Sequence, residues 1–311
     1  MNRLWAFGDS ISAGIPGDVN NNPEWYPHPY LIALDKHHLI TNLAADGAQA
    51  ADQYMAFGTT TPATGDRICV MLGTNDERTY GVNQLKLNNF ATILAAECYF
   101  ITQQTSKAQS WGASGTWNST SGQTIGLYST TVGNSLTTTF NGPTLTFGYL
   151  IDDAVGGSFS VTVDGVNVGT YNTQSLAPIM TTLGKNSGPA LGRIIGFTPG
   201  PHTVVFQQTA AGTVYLDWVG IGPNGAKLFL STIPRMTSAA YIAFGGSDAN
   251  VASYNQAIRS LVTQMQEDGL STLLVDSSSS INPLLDLGAD GLHPNQQGRV
   301  NIATTFLNMM N

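Results

Sequence analysis

Residues 3–14 read RLWAFGDSISAG, and how this stretch is read decides the fold. Its first half is a short apolar run, the pattern of a buried strand. The run stops at Gly8-Asp9-Ser10, small residues suited to a tight turn. Four more apolar, strand-like runs follow: HLITNLAA (38–45), RICVMLGTND (67–76), KLFLSTIP (227–234) and STLLVDSS (271–278). Helical patterns lie between them. Residues 83–103 are helix-like, and Val251, Tyr254, Ile258, Leu261, Val262 and Met265 recur at helical spacing before Gly269. Residues 295–310 read as a last helix. Strand alternating with helix predicts an α/β domain, a parallel sheet with helices on both faces. In such sheets the ligand crevice lies outside the carboxyl ends of the strands, which is where Ser10 falls.

Residues 105–225 break this rhythm. They are rich in Ser, Thr and Gly and carry short alternating runs: LTTTF (136–140), FSVTVDGVNVGTY (159–171), HTVVFQQT (202–209) and TVYLDWVGI (213–221). Asp164-Gly165 is a hairpin signal, because its turn needs positive φ at both central positions. In YLDWVGI, alternation puts Tyr215, Asp217 and Val219 on one face and Leu216, Trp218 and Gly220 on the other. Several short strands punctuated by Gly and Pro predict an all-β sandwich. The expected organisation is an α/β domain in two parts, 1–104 and 226–311, with the sandwich inserted as 105–225.

A chain of 311 residues is long enough for two such domains. Charged residues are 10% of it, against roughly 25% in an average soluble domain. Its polar surface must therefore come from Ser, Thr, Asn, Gln and Gly, a composition suited to an extracellular or virion surface. The net charge of −8 and the lack of any Lys/Arg cluster argue against a nucleic-acid partner. No apolar run is long enough to span a bilayer, so no membrane association is expected. With Asp9-Ser10 so near the start, no signal peptide is expected ahead of them in this sequence. Either a leader was removed, or the chain is a piece of something larger, or export is unconventional. Cys69 and Cys98 lie in apolar stretches and are expected as buried thiols rather than a disulfide. No Cys/His spacing suggests zinc.

Four local signals carry chemistry. Ser10, after the first strand, is an N-cap or a nucleophile. The G-x-S-x-G elbow is absent. His293, in GADGLHPN, lies three residues after Asp290, so that the carboxylate can orient the imidazole. The same stretch also suits a helix start capped by Asn295. His28, His37, His38 and His202 have no such acidic neighbour in sequence and read as structural or surface groups. Asn75 follows the third strand, where its amide suits an oxyanion donor or an Asx turn. Gly47, in NLAADGAQA after the second strand, lets a backbone N–H point into a cleft or simply makes a turn.

Taken together, FGDSISAG, NLAADGAQA, GTND and DGLHPN, in that order and each beside a strand end or the closing helix, resemble the four blocks of the SGNH (GDSL) hydrolase superfamily. The resemblance covers 1–104 and 226–311 and leaves out the insert. It implies a three-layer α/β/α, flavodoxin-like hydrolase without metal or organic cofactor. It also implies Ser10 as nucleophile, His293 as general base and Asp290 as its orienting acid. The implied oxyanion hole is the backbone N–H of Ser10 and Gly47 plus the Asn75 side chain. Asp9 is placed to help fix the Ser10 turn.

Aromatic and polar residues mixed in the first loop and after GTND suit sugar faces, and Trp25, Tyr26, Arg78 and Tyr80 are the substrate-binding candidates. Rim decoration is the plainer alternative. The insert is similar to carbohydrate-binding sandwiches, with Trp111, Trp117, Tyr128, Tyr149, Tyr171 and Trp218 available, some of them as core. The expected function is an esterase removing O-acetyl or other acyl groups from a polysaccharide. Such architectures also look like phage tail deacetylases, and an oligomer would follow if the chain belongs to a tail fibre or spike. Two alternatives remain open. A lipid acylhydrolase or thioesterase of the same family would declare itself by chain-length preference. A glycan-binding module on a dead scaffold would fail to turn over p-nitrophenyl acetate.

Overall fold

The computed structural model describes residues 2–14, 27–81, 83–119, 125–179, 184 and 186–310. The chain forms two compact units. One comprises Met1–Gln53, Pro62–Ala91 and Gly225–Asn311; the other comprises Tyr54–Thr61 and Thr92–Asn224. The first boundary of the long segment falls inside the helix Gln84–Thr102.

The first unit is α/β. Strands β1 (Arg3–Gly8), β2 (Leu39–Asn42), β3 (Arg67–Met71), β4 (Lys227–Ser231) and β5 (Thr272–Val275) form one sheet in the order β2-β1-β3-β4-β5. Every neighbouring pair is parallel. The side-chain period of two sorts the sheet's residues. Leu4, Cys69, Met71, Phe229 and Val275 share a core cluster with Ile32 and Ala33 of the helix His28–Lys36 and with Ile302, Ala303 and Phe306 of the helix Gln296–Met309. Alternation turns Ile68, Val70, Leu228 and Leu230, all fully buried, to the opposite face. The amphipathic helix Asp248–Glu267 contacts β4 and β5, and its buried residues are the predicted helical set together with Asn255. Asn295 caps the last helix by accepting from Gly298 N at 3.0 Å. Buried His28 stacks on Phe306, and burial pulls its imidazole down to about 3, so this histidine is a neutral core residue.

The second unit is antiparallel. One sheet runs, in spatial order, Val166–Asn172, Ser158–Val163, Pro201–Ala210, Ser135–Asn141 and Gly112–Ser114. The other runs Ser187–Ile195, Thr144–Asp152, Val214–Pro223, Leu127–Ser129 and Asn118–Ser119, with Gln103–Lys107 also paired to Val214–Pro223. Rings from the two sheets meet, Phe147 lying 6.1 Å from Phe159 and 5.0 Å from Phe206. Asp164 (φ 50°) and Gly165 (φ 84°) make the expected tight turn. Of the aromatic residues considered for sugar contact, Trp111, Tyr149 and Trp218 are core, while Trp117, Tyr128 and Tyr171 are half-buried.

One strand corrects the sequence pattern. The ladder of Val214–Pro223 shifts register between Leu216 and Trp218, so simple alternation fails there. Asp217, at the shift, is fully buried and accepts from the Tyr54 hydroxyl. A bulge re-aims a side chain, which period-two reasoning cannot foresee. Cys69 and Cys98 are free and buried, and burial raises both thiols, leaving them unreactive. Among the described residues no helix is long and apolar enough to cross a membrane.

Candidate active site

The carboxyl end of β1 runs into a one-turn helix, Ser10–Ala13. Its cap is Asp9, not Ser10: Asp9 Oδ1 accepts from Ile11 N at 3.0 Å. Ser10 is thus the first helical residue, and its N–H has no partner within the helix. Gly8 is required by space, since a Cβ there would sit 2.8 Å from the Met71 carbonyl oxygen and closer still to the Ser12 side chain.

His293 Nε2 lies 2.8 Å from Ser10 Oγ, across 283 residues of sequence. His293 Nδ1 lies 2.6 Å from Asp290 Oδ2. Asp290 Oδ1 accepts from the backbone N–H of Leu292 and His293, both at 3.0 Å, so the carboxylate is held at both oxygens. Burial pulls Asp290 up, but the bond from the His293 ring and these two N–H groups outweigh it and hold the acid below its ordinary value. An acceptor at Nδ1 selects the tautomer with its proton there, leaving Nε2 free to accept a hydrogen bond from the Ser10 hydroxyl.

Asn75 sits in the first turn of the helix Thr74–Tyr80, directly after β3. Gly73 caps that helix at φ 123°, a conformation open to glycine. Asn75 Nδ2 donates to the Ala48 carbonyl at 3.0 Å, and Asp76 Oδ2 accepts from Ala50 N at 3.1 Å. The segment after β3 therefore grips the segment after β2 twice. Between them Gly47 holds φ 67° in a turn closed by Ala48 N to Ala45 O at 3.2 Å. Ser10, Gly47, Asn75, Asp290 and His293 all belong to the first unit, at the carboxyl side of its sheet.

Two buried acids stand behind this edge. Burial pushes Asp9 up to about 6, against the Ile11 N–H and the charges of His293 and Arg78. Burial pushes Asp76 up to about 7, with the Asp52 and Asp9 charges adding to it and the Ala50 N–H opposing. Arg78 is half-buried and donates from Nη1 to Asn75 Oδ1 at 3.1 Å. Tyr80 ends the same helix, and its side chain lies outside the described residues, as do Trp25 and Tyr26.

Sequence reasoning missed one further pair. His202, set aside for want of an acidic neighbour, has Asp164 Oδ2 at 2.6 Å from Nδ1. The partner stands 38 residues away on a paired strand end, so spacing carried no signal. No group of three metal-ligating side chains occurs among the described residues.

No protein-family model and no curated protein matches the chain. Among solved structures it is similar to a member of the lipolytic protein G-D-S-L family from Veillonella parvula, at 10% identity and TM-score 0.46, over 99% of this chain and 97% of that one. It is also similar to a two-domain esterase active on acetylated mannans, at 11% identity and TM-score 0.39, over 71% of this chain and 91% of that one. Part of it is similar to the CBM36-1 domain of a multidomain xylanase from the hindgut metagenome of Trinervitermes trinervoides, at 16% identity and TM-score 0.30, over 39% of this chain and 96% of that one.

Proposed function

We propose that the chain is a serine esterase that removes acyl groups, O-acetyl groups foremost, from a polysaccharide. The observation that carries this reading is the continuous relay from Asp290 through His293 to Ser10, with contacts of 2.6 and 2.8 Å. Ser10 Oγ attacks the ester carbonyl carbon while its proton passes to His293 Nε2. Asp290 stabilises the imidazolium that forms. The tetrahedral oxyanion is met by the backbone N–H of Ser10 and Gly47 and by the Asn75 amide. His293 then returns the proton to the leaving sugar oxygen. Finally it takes a proton from the water that attacks the acyl-enzyme and gives it to Ser10 Oγ as the carboxylic acid leaves.

On the same reading, residues 1–104 and 226–311 make a three-layer α/β/α hydrolase domain of the SGNH type. The strand order 2-1-3-4-5 supports this, being the order of flavodoxin-like sheets. Residues 105–225 are assigned to an inserted sandwich that holds glycan, supported by the half-buried rings of Trp117, Tyr128 and Tyr171. Trp25, Tyr26 and Tyr80 are assigned to sugar binding. The charge-poor composition supports work outside a cell, on a secreted enzyme or a phage tail.

Turnover of p-nitrophenyl acetate, followed by mass spectrometry of acetate release from a panel of acetylated bacterial and plant polysaccharides, tests the reading. The expected result is hydrolysis of both, lost in Ser10→Ala. A purified, folded protein that hydrolyses neither sinks it. A second reading, a lipid acylhydrolase, draws on Ile242, Phe244, Leu284 and Leu285, all exposed on the first unit. A rate rising steeply from acetyl to octanoyl esters would favour it.

A further inference from the structure

Asn75 has one carbonyl oxygen and one NH2 group, and nothing in its own chemistry decides which way they face. Two contacts decide it here. The Ala48 carbonyl can only accept, so it demands Nδ2 at 3.0 Å. The Arg78 guanidinium can only donate, so it demands Oδ1 at 3.1 Å. Reversing the amide would set acceptor against acceptor on one side and donor against donor on the other. With one Nδ2 proton spent on Ala48, the second is left in a fixed direction.

The placing of Arg78 is itself determined. Its guanidinium carbon lies 5.1 Å from the centroid of the Phe244 ring. Phe244 ends the helix Ser238–Phe244, and the turn beyond it is held by Ser247 N donating to Glu77 Oε1 at 2.8 Å. A Cβ on Gly246 would meet both Glu77 oxygens at 2.5 Å, so the backbone passes tightly over that carboxylate. The start of the same helix is tied to the loop bearing His293, through Thr237 N to Gly291 O at 3.0 Å. Burial holds the Arg78 guanidinium below its ordinary value, and the charges of Asp9, Glu77, Asp290 and Asp46 oppose that shift. Yet among the described residues its side chain hydrogen-bonds to the neutral amide of Asn75, and its Nε is buried without a partner. A charge-assisted bond to Oδ1 draws electron density from the amide and makes the remaining Nδ2 proton a stronger donor.

We propose that Arg78 is a positioning residue that acts through Asn75: it locks the amide so that Nδ2 faces the developing oxyanion, rather than binding substrate itself. This rests on the esterase reading of the site. It also departs from the role of Arg78 expected from sequence, which was contact with sugar.

A double-mutant cycle on p-nitrophenyl acetate, a small neutral ester with no sugar to contact, tests it. Arg78→Met in the otherwise unchanged protein is expected to lower kcat about 10-fold or more, with KM within about twofold. Arg78→Lys, which keeps a charged donor, is expected to recover most of that loss. On an Asn75→Ala background, Arg78→Met is expected to cost less than about twofold, because its route of action is already gone. If the Met variant fails to fold by circular dichroism, Arg78→Leu, which also lacks a donor, takes its place in the cycle with the same expected outcomes. An unchanged kcat in the single variant overturns the proposal. So does a loss of equal size on the Asn75→Ala background, and so does an effect confined to KM for polysaccharide. If Asn75→Ala and Ser10→Ala themselves leave turnover intact, the assignment of catalysis to this site fails instead, a result distinct from any of these.

Discussion

Among the described residues the same contact occurs in both units. In the parallel-sheet unit, Asp290 Oδ2 meets His293 Nδ1 at 2.6 Å; in the antiparallel unit, Asp164 Oδ2 meets His202 Nδ1 at 2.6 Å. Each ring offers its second nitrogen to a partner at 2.8 Å, and the two pairs part there. His293 faces the Ser10 hydroxyl, which can donate, so one ring proton suffices and Nε2 is open to act as a base. His202 faces the Thr198 carbonyl, which can only accept, so both ring nitrogens must carry protons for both bonds to exist. Phe140 and Phe197 flank that ring at 5.0 and 5.5 Å. The charged imidazole there joins the turn at Asp164 to the strand entered at Pro201. An aspartate beside a histidine is therefore no catalytic signal by itself; the third group decides what the pair does.

The largest test of this contrast is catalytic. His293→Ala and Ser10→Ala are each expected to lower kcat for p-nitrophenyl acetate by about 10⁴-fold or more, while His202→Ala leaves it within about twofold. Equal losses from the two histidines would erase the distinction. Asn75→Ala is expected next, at about 10²–10³ in kcat with little change in KM, the usual cost of one oxyanion donor. A change confined to KM would make Asn75 a ground-state contact instead.

The acids of the two regions should respond to pH in opposite senses. Asp76 is raised to about 7, so its favourable contribution is complete below the unfolded value of about 3.9 and is lost as pH climbs through 7. Asp76→Asn keeps an oxygen for Ala50 N–H and cannot ionise. It is expected to raise the thermal midpoint by about 2–4 °C at pH 8, with the gap closing toward pH 4. No gap at pH 8 would mean that the Asp76 carboxylate is not penalised by its burial.

Asp164 is lowered, chiefly by the bond from His202, and His202 is raised, chiefly by the bond to Asp164. The Asp164 contribution is present above about 3.9 and lost on acidification; that of His202 is present below about 6.5 and lost as pH rises through its raised value. The smallest predicted effect follows. The stability difference between the protein and His202→Gln should be greatest near pH 5 and shrink by pH 9, as thermal melts across that range would record. A difference that grows toward alkaline pH would contradict the charged-imidazole clamp.

Much of the first unit was legible in the sequence because its signals are local. Each apolar run holds its strand, as with Arg3–Gly8 and Arg67–Met71, though the strands end sooner than the runs do. The helical spacing through Val251, Tyr254 and Ile258 marks a real buried stripe. Asp164-Gly165 specified its own turn. Illegible were the features that need distant partners. The bulge at Asp217 arises from pairing with two neighbouring strands, and alternation within its own strand gives no warning of it. The bond from Arg78 to Asn75 lies within three residues of sequence, but the seat of Arg78 on Phe244 has no one-dimensional trace.

From the sequence by itself came the order of strands and helices, the turns that glycine and aspartate impose, and the pairing of Asp290 with His293, because backbone periodicity and contacts three residues apart are properties of short segments. The approach of Ser10 to His293 across 283 residues, the contact of the Asn75 amide with the Ala48 carbonyl and the meeting of His202 with Asp164 were decided by tertiary structure alone. Those depend on which strands lie side by side and how their ends close together. That arrangement is selected by burial of the whole core rather than by any stretch of chain within it.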